Sequence, residues 1–466
     1  MASELSHPVV FTTATPYPLP SQKFMIPASW KRYQLSQLVN KSLSLPSPVP
    51  FEFLVRGEIL RSSLGEWCQE KGIGEEETLE IEYFESVMPP QKMSSIPHEE
   101  WVSAVSCQVP GYFVTAAYDG QVRIFDYSQQ LLRTIPIHDA SATSVVVIGQ
   151  PSASAEHNSY LIASASHDMT ARITKTPFGG SDSDEQSAVT LASLHLHTAP
   201  IASIASNLPG SHLLTASWDN LIGIWDTIIP SADEVPADDA PERKKRRKNA
   251  DNSASKPKRK APIGVLKSHT ARVSKAIFSP TASNKAFSVG FDSTVRTWDV
   301  ENAVCTDTIT ASSKPFLDIA ISPSGDFVLA ASTDRTVTQY DVRSPTLSTA
   351  ALSTATFLHP STPSCIALPS GSSSNNNANT NNNSQQFITG AYDGTVRLWD
   401  RRSARSAVTT LKVWEGQNHG RKILSVDWSE SGVVGIGGEG GVEVWRVQGS
   451  GDQALGLGGV VRAAAS

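Results

Sequence analysis

The chain has 466 residues, with 39 lysines and arginines against 45 aspartates and glutamates, a net charge of -6 and a pI near 6.0. That length exceeds one ordinary core and leaves room for two domains, while the mild acidity excludes the general basic field of a nucleic-acid coat. Cys68, Cys107, Cys305 and Cys365 show no CxxC spacing, so neither a zinc site nor a disulfide framework is suggested. No apolar run approaches the ~20 residues that span a bilayer, and no basic region precedes a hydrophobic one at the N-terminus. An intracellular, soluble protein without membrane contact is expected.

Residues 8 to 88 read as ββαββαβ. Val9 to Thr13 and Lys23 to Ile26 form a short strand pair, and Leu35, Leu38, Val39 and Leu43 fall on one face of a helix over Tyr33 to Leu43. Phe51 to Val55 alternates as a strand, turns at Gly57-Glu58 and resumes as Ile59 to Arg61. A second helix starts at Ser63, where Ser63 and Glu66 have capping-box spacing, and stops at Gly72. Thr78 to Phe84 alternates as the last strand. This order in about 80 residues resembles a ubiquitin-like roll. Met88-Pro89-Pro90 follows in place of a Gly-Gly pair, which favours a built-in docking module over a conjugated tag.

Residues 91 to 97 occupy the place of a blade's outermost strand, and they are expected to complete the last blade and close a ring. The Gly-rich tail, 449–466, is the competing donor through Gly459 to Arg462. Between them the chain repeats. Tyr392-Asp393-Gly394-Thr395-Val396-Arg397-Leu398-Trp399-Asp400 reads as a tight turn followed by an alternating strand ending in the Trp-Asp signature of a propeller blade. Relatives stand at AYDGQVRIFD, SHDMTARITK, SWDNLIGIWD, GFDSTVRTWD, STDRTVTQYD and, more faintly, GEGGVEVWR. The turn acids Asp119, Asp168, Asp219, Asp292, Asp334, Asp393 and Glu439 fall at intervals of 49, 51, 73, 42, 59 and 46 residues. Roughly 40 to 45 residues make one WD blade, so the long intervals announce insertions. The fold class is mainly β: a seven-bladed WD-repeat β-propeller over residues 91–448, preceded by a small α+β ubiquitin-like domain.

A hydroxyl stands four residues before most of these acids (Thr115, Ser164, Thr215, Ser288, Thr389), and a histidine ends most loops that lead into a blade (His98, His138, His197, His269, His359, His419). The set is expected to form a buried structural network of aromatic, hydroxyl, imidazole and carboxylate in each blade. A catalytic triad has the same residue types, but it needs one exposed cleft, and a sevenfold repeat of one active site is implausible. The fifth unit lacks the histidine and has Ala330 for the hydroxyl, so packing is expected to hold it.

Two insertions, about 231–261 and 370–386, are expected to be disordered. The first carries Lys244, Lys245, Arg246, Arg247 and Lys248 and then the KPKRK run with Lys256, Lys258, Arg259 and Lys260, behind the acidic segment Ala232 to Asp239. Two basic clusters separated by seven residues in an acidic protein favour a two-part nuclear-import signal over a solvated charged loop. A local RNA contact there is compatible with it. Blade topology sends both insertions, and the shorter excursions Gly149 to Ser159 and Phe178 to Gln186, to one face. The opposite face keeps tight turns and is the better candidate for a fixed partner surface.

The ubiquitin-like N-terminus with GEILRSSL and LEIEY, the WD propeller and the basic insert after the third blade resemble the YTM-type ribosome biogenesis proteins, the WD-repeat subunits of the PeBoW complex. WD repeats alone host many functions; the pairing with an NLE-type domain makes the resemblance specific. The Asn-rich insert and Thr174-Lys175, where blade two should show an aromatic-Asp pair, depart from the family pattern. The resemblance implies a non-enzymatic assembly factor for the large (60S) ribosomal subunit, needed for maturation of precursor ribosomal RNA and found in nucleus, nucleolus and nucleoplasm, with no cofactor and no metal of its own. It implies a heterotrimer with a BOP/ERB-type WD-repeat protein, bound by the propeller, and a pescadillo-type protein. It further implies capture of the ubiquitin-like domain by midasin, an AAA ATPase, for release from the pre-60S particle. Carried onto this chain, the acid offered to midasin's metal-ion-dependent adhesion site is Glu76, four residues after Gly72 in an outward turn that also holds Glu75 and Glu77. The alternative is a WD-repeat substrate adaptor of a cullin ubiquitin ligase, suggested by the ubiquitin-like roll and by the WDxR string Trp399-Asp400-Arg401-Arg402.

Overall fold

In the computed structural model, which describes residues 5–45, 48–74, 76–86, 89–149, 159–178, 188–235, 256–310, 313–343, 353–370, 385–414 and 421–447, alternation of apolar and polar residues writes the first sheet. Its strands are β1 (Ser6–Thr12), β2 (Lys23–Pro27), β3 (Phe51–Val55), β4 (Glu58–Ile59) and β5 (Leu79–Glu85), in the order β2-β1-β5-β3-β4 with β1 and β5 parallel. Helix α1 (Arg32–Leu43) buries Leu35 and Val39. Helix α2 (Leu64–Lys71) starts at the expected capping box: Ser63 Oγ accepts from Glu66 N at 3.3 Å and Glu66 Oε2 from Ser63 N at 3.2 Å. Phe11, Phe51 and Phe53 gather around Tyr83 as the aromatic centre of this core.

From residue 91 the chain forms seven further sheets, each built on four antiparallel strands, with a fifth strand added to the second. Blade one runs through Val102–Ser106, Tyr112–Ala117, Gln121–Asp126 and Leu131–Pro136. The first strands of the other blades are Ala142–Ile148, Ile201–Ser206, Val273–Phe278, Phe316–Ile321, Pro363–Ala367 and Ile423–Trp428. Each first strand packs on the next, and the seventh packs on blade one, so the ring is closed. Strand β6 (Gln91–Ile96) supplies the outermost strand of blade seven, pairing antiparallel with Gly441–Arg446. This pairing removes a sheet edge that would otherwise invite association. The competing tail lies outside the described residues.

Side chains reinforce the closing seam. Cys107 N donates to Asp427 Oδ2 at 2.7 Å and Val105 N to Ser425 Oγ at 3.2 Å. Gly435 and Gly437 let the two blades approach, since a Cβ at either would stand 2.7 Å from Cys107 Sγ or Val105 Cγ2. Blade five is held by packing of Phe316, Val328, Ala330 and Tyr340, all nearly inaccessible to solvent.

One expectation is corrected. The insertion proposed as disordered over 231–261 is ordered at both described ends. Lys258–Lys260 form a fifth strand on blade two, pairing parallel with Val189–Leu194. The acidic segment clasps it: Arg259 N donates to Asp233 Oδ1 at 2.9 Å, Ala261 N to Glu234 Oε2 at 2.9 Å, and Glu234 N to the Arg259 carbonyl at 2.8 Å. Lys260 is 3 % exposed and its ammonium meets Asp226 and the Ile228 carbonyl. A basic run rich in charge can join a sheet edge when acids neutralise it and neighbouring backbone completes its hydrogen bonds. Lys244 to Lys248 and the 371–384 portion of the Asn-rich insert lie outside the described residues.

Candidate partner-docking sites

The turn after α2 is set by Gly72, which caps the helix in the left-handed region at φ 65°, donating to the Cys68 and Gln69 carbonyls. The chain then runs exposed to Leu79, where β5 begins. Glu77 is engaged with Arg56 of the β3–β4 turn. Glu76 is exposed and makes no hydrogen bond or ion pair among the described residues; Glu75 lies outside them. Among the described residues of the turn, Glu76 is thus the carboxylate without a partner.

The repeat acids build the tight-turn face of the ring. All six aspartates accept from the backbone N–H two residues on: Gln121, Thr170, Leu221, Thr294, Thr336 and Thr395, at 2.9 to 3.2 Å. This Asx turn explains the acid at each position, and the residue following it takes positive φ in Met169, Asn220, Ser293 and Arg335. Glu439, a carbon longer, instead accepts from Lys422 N at 3.1 Å.

The full network forms in blades three and four. Trp225 Nε1 donates to Thr215 Oγ1 at 2.9 Å, Thr215 Oγ1 lies 2.8 Å from His197 Nε2, and His197 Nδ1 lies 2.9 Å from Asp219. Trp298, Ser288, His269 and Asp292 repeat it at 2.7, 2.7 and 2.8 Å. Because indole only donates, the hydroxyl must donate onward to Nε2, leaving Nδ1–H for the carboxylate. Blade two keeps His138, Ser164 and Asp168, with buried Thr174 in the place of the indole. Burial opposes the Asp168 carboxylate, but bonds from His138 and Thr170 outweigh it and hold the group at about 2. Asp292 lies well below the usual range, burial again being outweighed by His269 and Thr294.

Blades one and six differ from expectation. His98 and His359 reach Thr115 and Thr389, at 3.1 and 2.9 Å, but their Nδ1 atoms turn to the Ile96 and Phe357 carbonyls. Arg123 and Arg397, one helical-like step of four residues on, take Asp119 and Asp393 instead, at 2.5 and 3.1 Å. His419 lies outside the described residues. His138, His197, His269 and His359 are buried, and among the described residues no three potential metal ligands gather.

A contact that sequence reasoning missed joins the two domains. Arg402 grips Asp400 with Nε and Nη2, at 3.0 and 2.7 Å, reaches Glu82 of β5 with Nη1 at 3.0 Å, and lies 4.1 Å over the Phe84 ring. Arg405 pairs with Glu58, and Arg61 donates to the Val408 carbonyl at 3.2 Å. Arg402, the arginine of the WDxR string, is thus an interdomain brace.

Comparison with known proteins agrees with this architecture. The NLE (NUC135) domain family profile matches residues 8–68, and that of the WD domain, G-beta repeat, matches 91–126, 188–226, 260–299, 303–341 and 356–400. Blades two and seven, with their divergent turn strands, are the ones it passes over. The chain is similar to "Ribosome biogenesis protein YTM1" of Laccaria bicolor, 56% identical over 448 residues covering 96% of both chains. The protein so named in Coprinopsis cinerea is 53% identical over 455 residues, with 96% of each covered. That of Candida glabrata is 32% identical over 444 residues, covering 89% of this chain and 90% of its own.

Proposed function

Since this chain belongs to the YTM1 family of ribosome biogenesis proteins, we propose that it is a non-catalytic assembly factor that brings two partners to the precursor of the large ribosomal subunit. Its propeller binds a BOP/ERB-type WD-repeat protein, in a heterotrimer with a pescadillo-type protein. Its ubiquitin-like domain is captured by midasin, which releases the complex from the pre-60S particle so that precursor ribosomal RNA can mature. The protein works in the nucleolus and nucleoplasm.

The observation that carries the reading is the isolation of Glu76. Its neighbour Glu77 is tied to Arg56, while Glu76 points from a glycine-capped turn with no partner among the described residues. A Mg²⁺ ion in midasin's adhesion site prefers oxygen ligands and takes one carboxylate from an incoming domain. Glu76→Ala is expected to abolish Mg²⁺-dependent capture by the midasin domain and to leave the protein on precursor particles, with propeller binding unchanged. Capture that persists equally in Glu76→Ala and in chelator would refute the metal bridge. Loss confined to Glu75→Ala or Glu77→Ala would move the role to that neighbour.

A further inference from the structure

The strands of the first sheet bury residues on both faces. Phe51, Phe53 and Val55 of β3 and Leu79, Ile81 and Tyr83 of β5 belong to the domain's own core. Leu54 and Phe84 alternate to the other face, outside that core, and yet are each 2 % exposed. Blade six meets this face. The Arg402 guanidinium lies 4.1 Å over the Phe84 ring and bonds at 3.0 Å to Glu82, which stands across from Leu54. Arg61 donates to the Val408 carbonyl at 3.2 Å, and Arg405 pairs with Glu58. Each domain keeps its own core, since that of the first sheet shares no residue with those of blade six. A largely polar contact between two self-sufficient cores docks reversibly.

The docked contact reaches the acid turn through three consecutive residues of the β3–β4 turn. Arg56, at φ 50°, pairs with Glu77. Gly57, at φ 77°, comes so near blade six that a Cβ there would stand 3.5 Å from the Arg402 carbonyl oxygen. Glu58 holds Arg405 of blade six together with Lys71 and Trp67 of α2. Groups from both domains thus converge on one turn, whose Arg56 grips the residue next to Glu76. A protein interface of ordinary size covers about 800 Å² on each partner, a disc about 16 Å in radius. A partner centred on Glu76 therefore spreads over Arg56 to Glu58 and claims the turn that blade six already holds.

We propose that blade six latches the ubiquitin-like domain through the turn Arg56 to Glu58, and that the partner taking Glu76 captures the undocked domain, displacing Arg405 and the Arg402 carbonyl from that turn. This rests on the reading that midasin captures Glu76 and adds the regulation of that site. The apparent affinity of capture is then the intrinsic one reduced by the fraction of molecules whose latch is open.

The full-length protein is titrated with the purified midasin adhesion domain in Mg²⁺ and in chelator, and its dimensions are followed by small-angle scattering. Arg402 is left in place because it also holds buried Asp400. Arg61→Glu with Arg405→Glu, at two exposed positions, sets a like charge against Glu58. Glu82→Ala, on the other side of the contact, leaves blade six untouched. Both variants are expected to enlarge the radius of gyration without changing thermal unfolding of the propeller, and to tighten Mg²⁺-dependent capture about threefold or more. Adding Glu76→Ala to either abolishes that capture. Equal capture by variants that have opened overturns the proposal, and weaker capture overturns it by making the blade-six loop part of the captured surface. An unchanged radius of gyration in both variants overturns the latch itself. Absence of Mg²⁺-dependent capture by the unaltered and the opened chains alike refutes the functional reading and its regulation together, whereas capture by the opened chains alone supports both.

Discussion

Acidification from pH 7 to 4 tests the buried histidine of blade six. His359 is 5 % exposed, and burial lowers its imidazole to about 4, helped by Arg397 and opposed by the Phe357 carbonyl and Asp393. In the unfolded chain a histidine titrates near 6.5. Its folded pKa is therefore depressed, and protons bind the unfolded chain first. The stability linked to the neutral ring is intact above pH 6.5 and is lost as pH falls toward 4. A gap of about 2.5 units at about 1.36 kcal/mol per unit amounts to about 3 kcal/mol over that window. The depressed acids act elsewhere: Asp168 titrates at about 2, so its contribution fades only below pH 4. His98 is lowered by burial as well and adds to the slope in the same direction. Urea unfolding followed by tryptophan fluorescence at pH 7, 6, 5 and 4.5 reads the effect. His359→Gln does not titrate here and keeps an amide near Thr389, so its stability curve is expected to fall less steeply than that of the unaltered chain. Parallel curves for the two would refute the reasoning.

Arg402→Ala leaves Asp400 buried without its guanidinium and frees Glu82 and Phe84; it is expected to cost about 2 to 4 kcal/mol in blade six and to loosen the two domains, read by thermal unfolding and small-angle scattering. Replacing Lys244 to Lys248 by alanines is expected to reduce nuclear accumulation without changing stability, whereas Lys260→Ala, which strips the buried partner of Asp226, lowers stability by about 1 to 3 kcal/mol; equal effects of both on import alone would restore an unfolded second cluster. A chain beginning at residue 98 lacks β6 and is expected to aggregate, while one beginning at 87 keeps the ring and its partner binding, as gel filtration will report.

Features written in local sequence were legible. The Asx turns at Asp119 to Asp393, the Ser63–Glu66 box and the Gly72 cap each depend on residues within four positions, so pattern and position determine them together. The histidine network was legible in kind and wrong in reach. Spacing put an imidazole near every turn carboxylate but that of the fifth unit, and could not say that Arg123 and Arg397 would compete for Asp119 and Asp393. KPKRK looked like solvated chain because composition counts charges and cannot see Asp233, Glu234 and Asp226 folding back to meet them. Arg402 was beyond reach for a related reason: its partner Glu82 is 320 residues away. Blade seven was faint in sequence since a Glu replaced the turn Asp and glycines replaced its side chains; those glycines exist for the neighbour, to admit Val105 and Cys107.

Strand β6 begins directly after the ubiquitin-like domain, and that order has a mechanical side. Tension applied to the N-terminal domain travels through the segment at Pro89-Pro90 into Gln91, the first residue of the strand that closes the ring on Gly441–Arg446. A second route bears load in parallel, through Arg402, Arg405 and Arg61 into the sixth blade. While that clasp holds, the closing strand is shielded. Once it slips, the pull falls on β6 alone, where a force along the strand strains its hydrogen bonds together and a force away from it peels them one by one. The module best placed to be grasped is thus tied to the seam whose opening would unlock the whole ring.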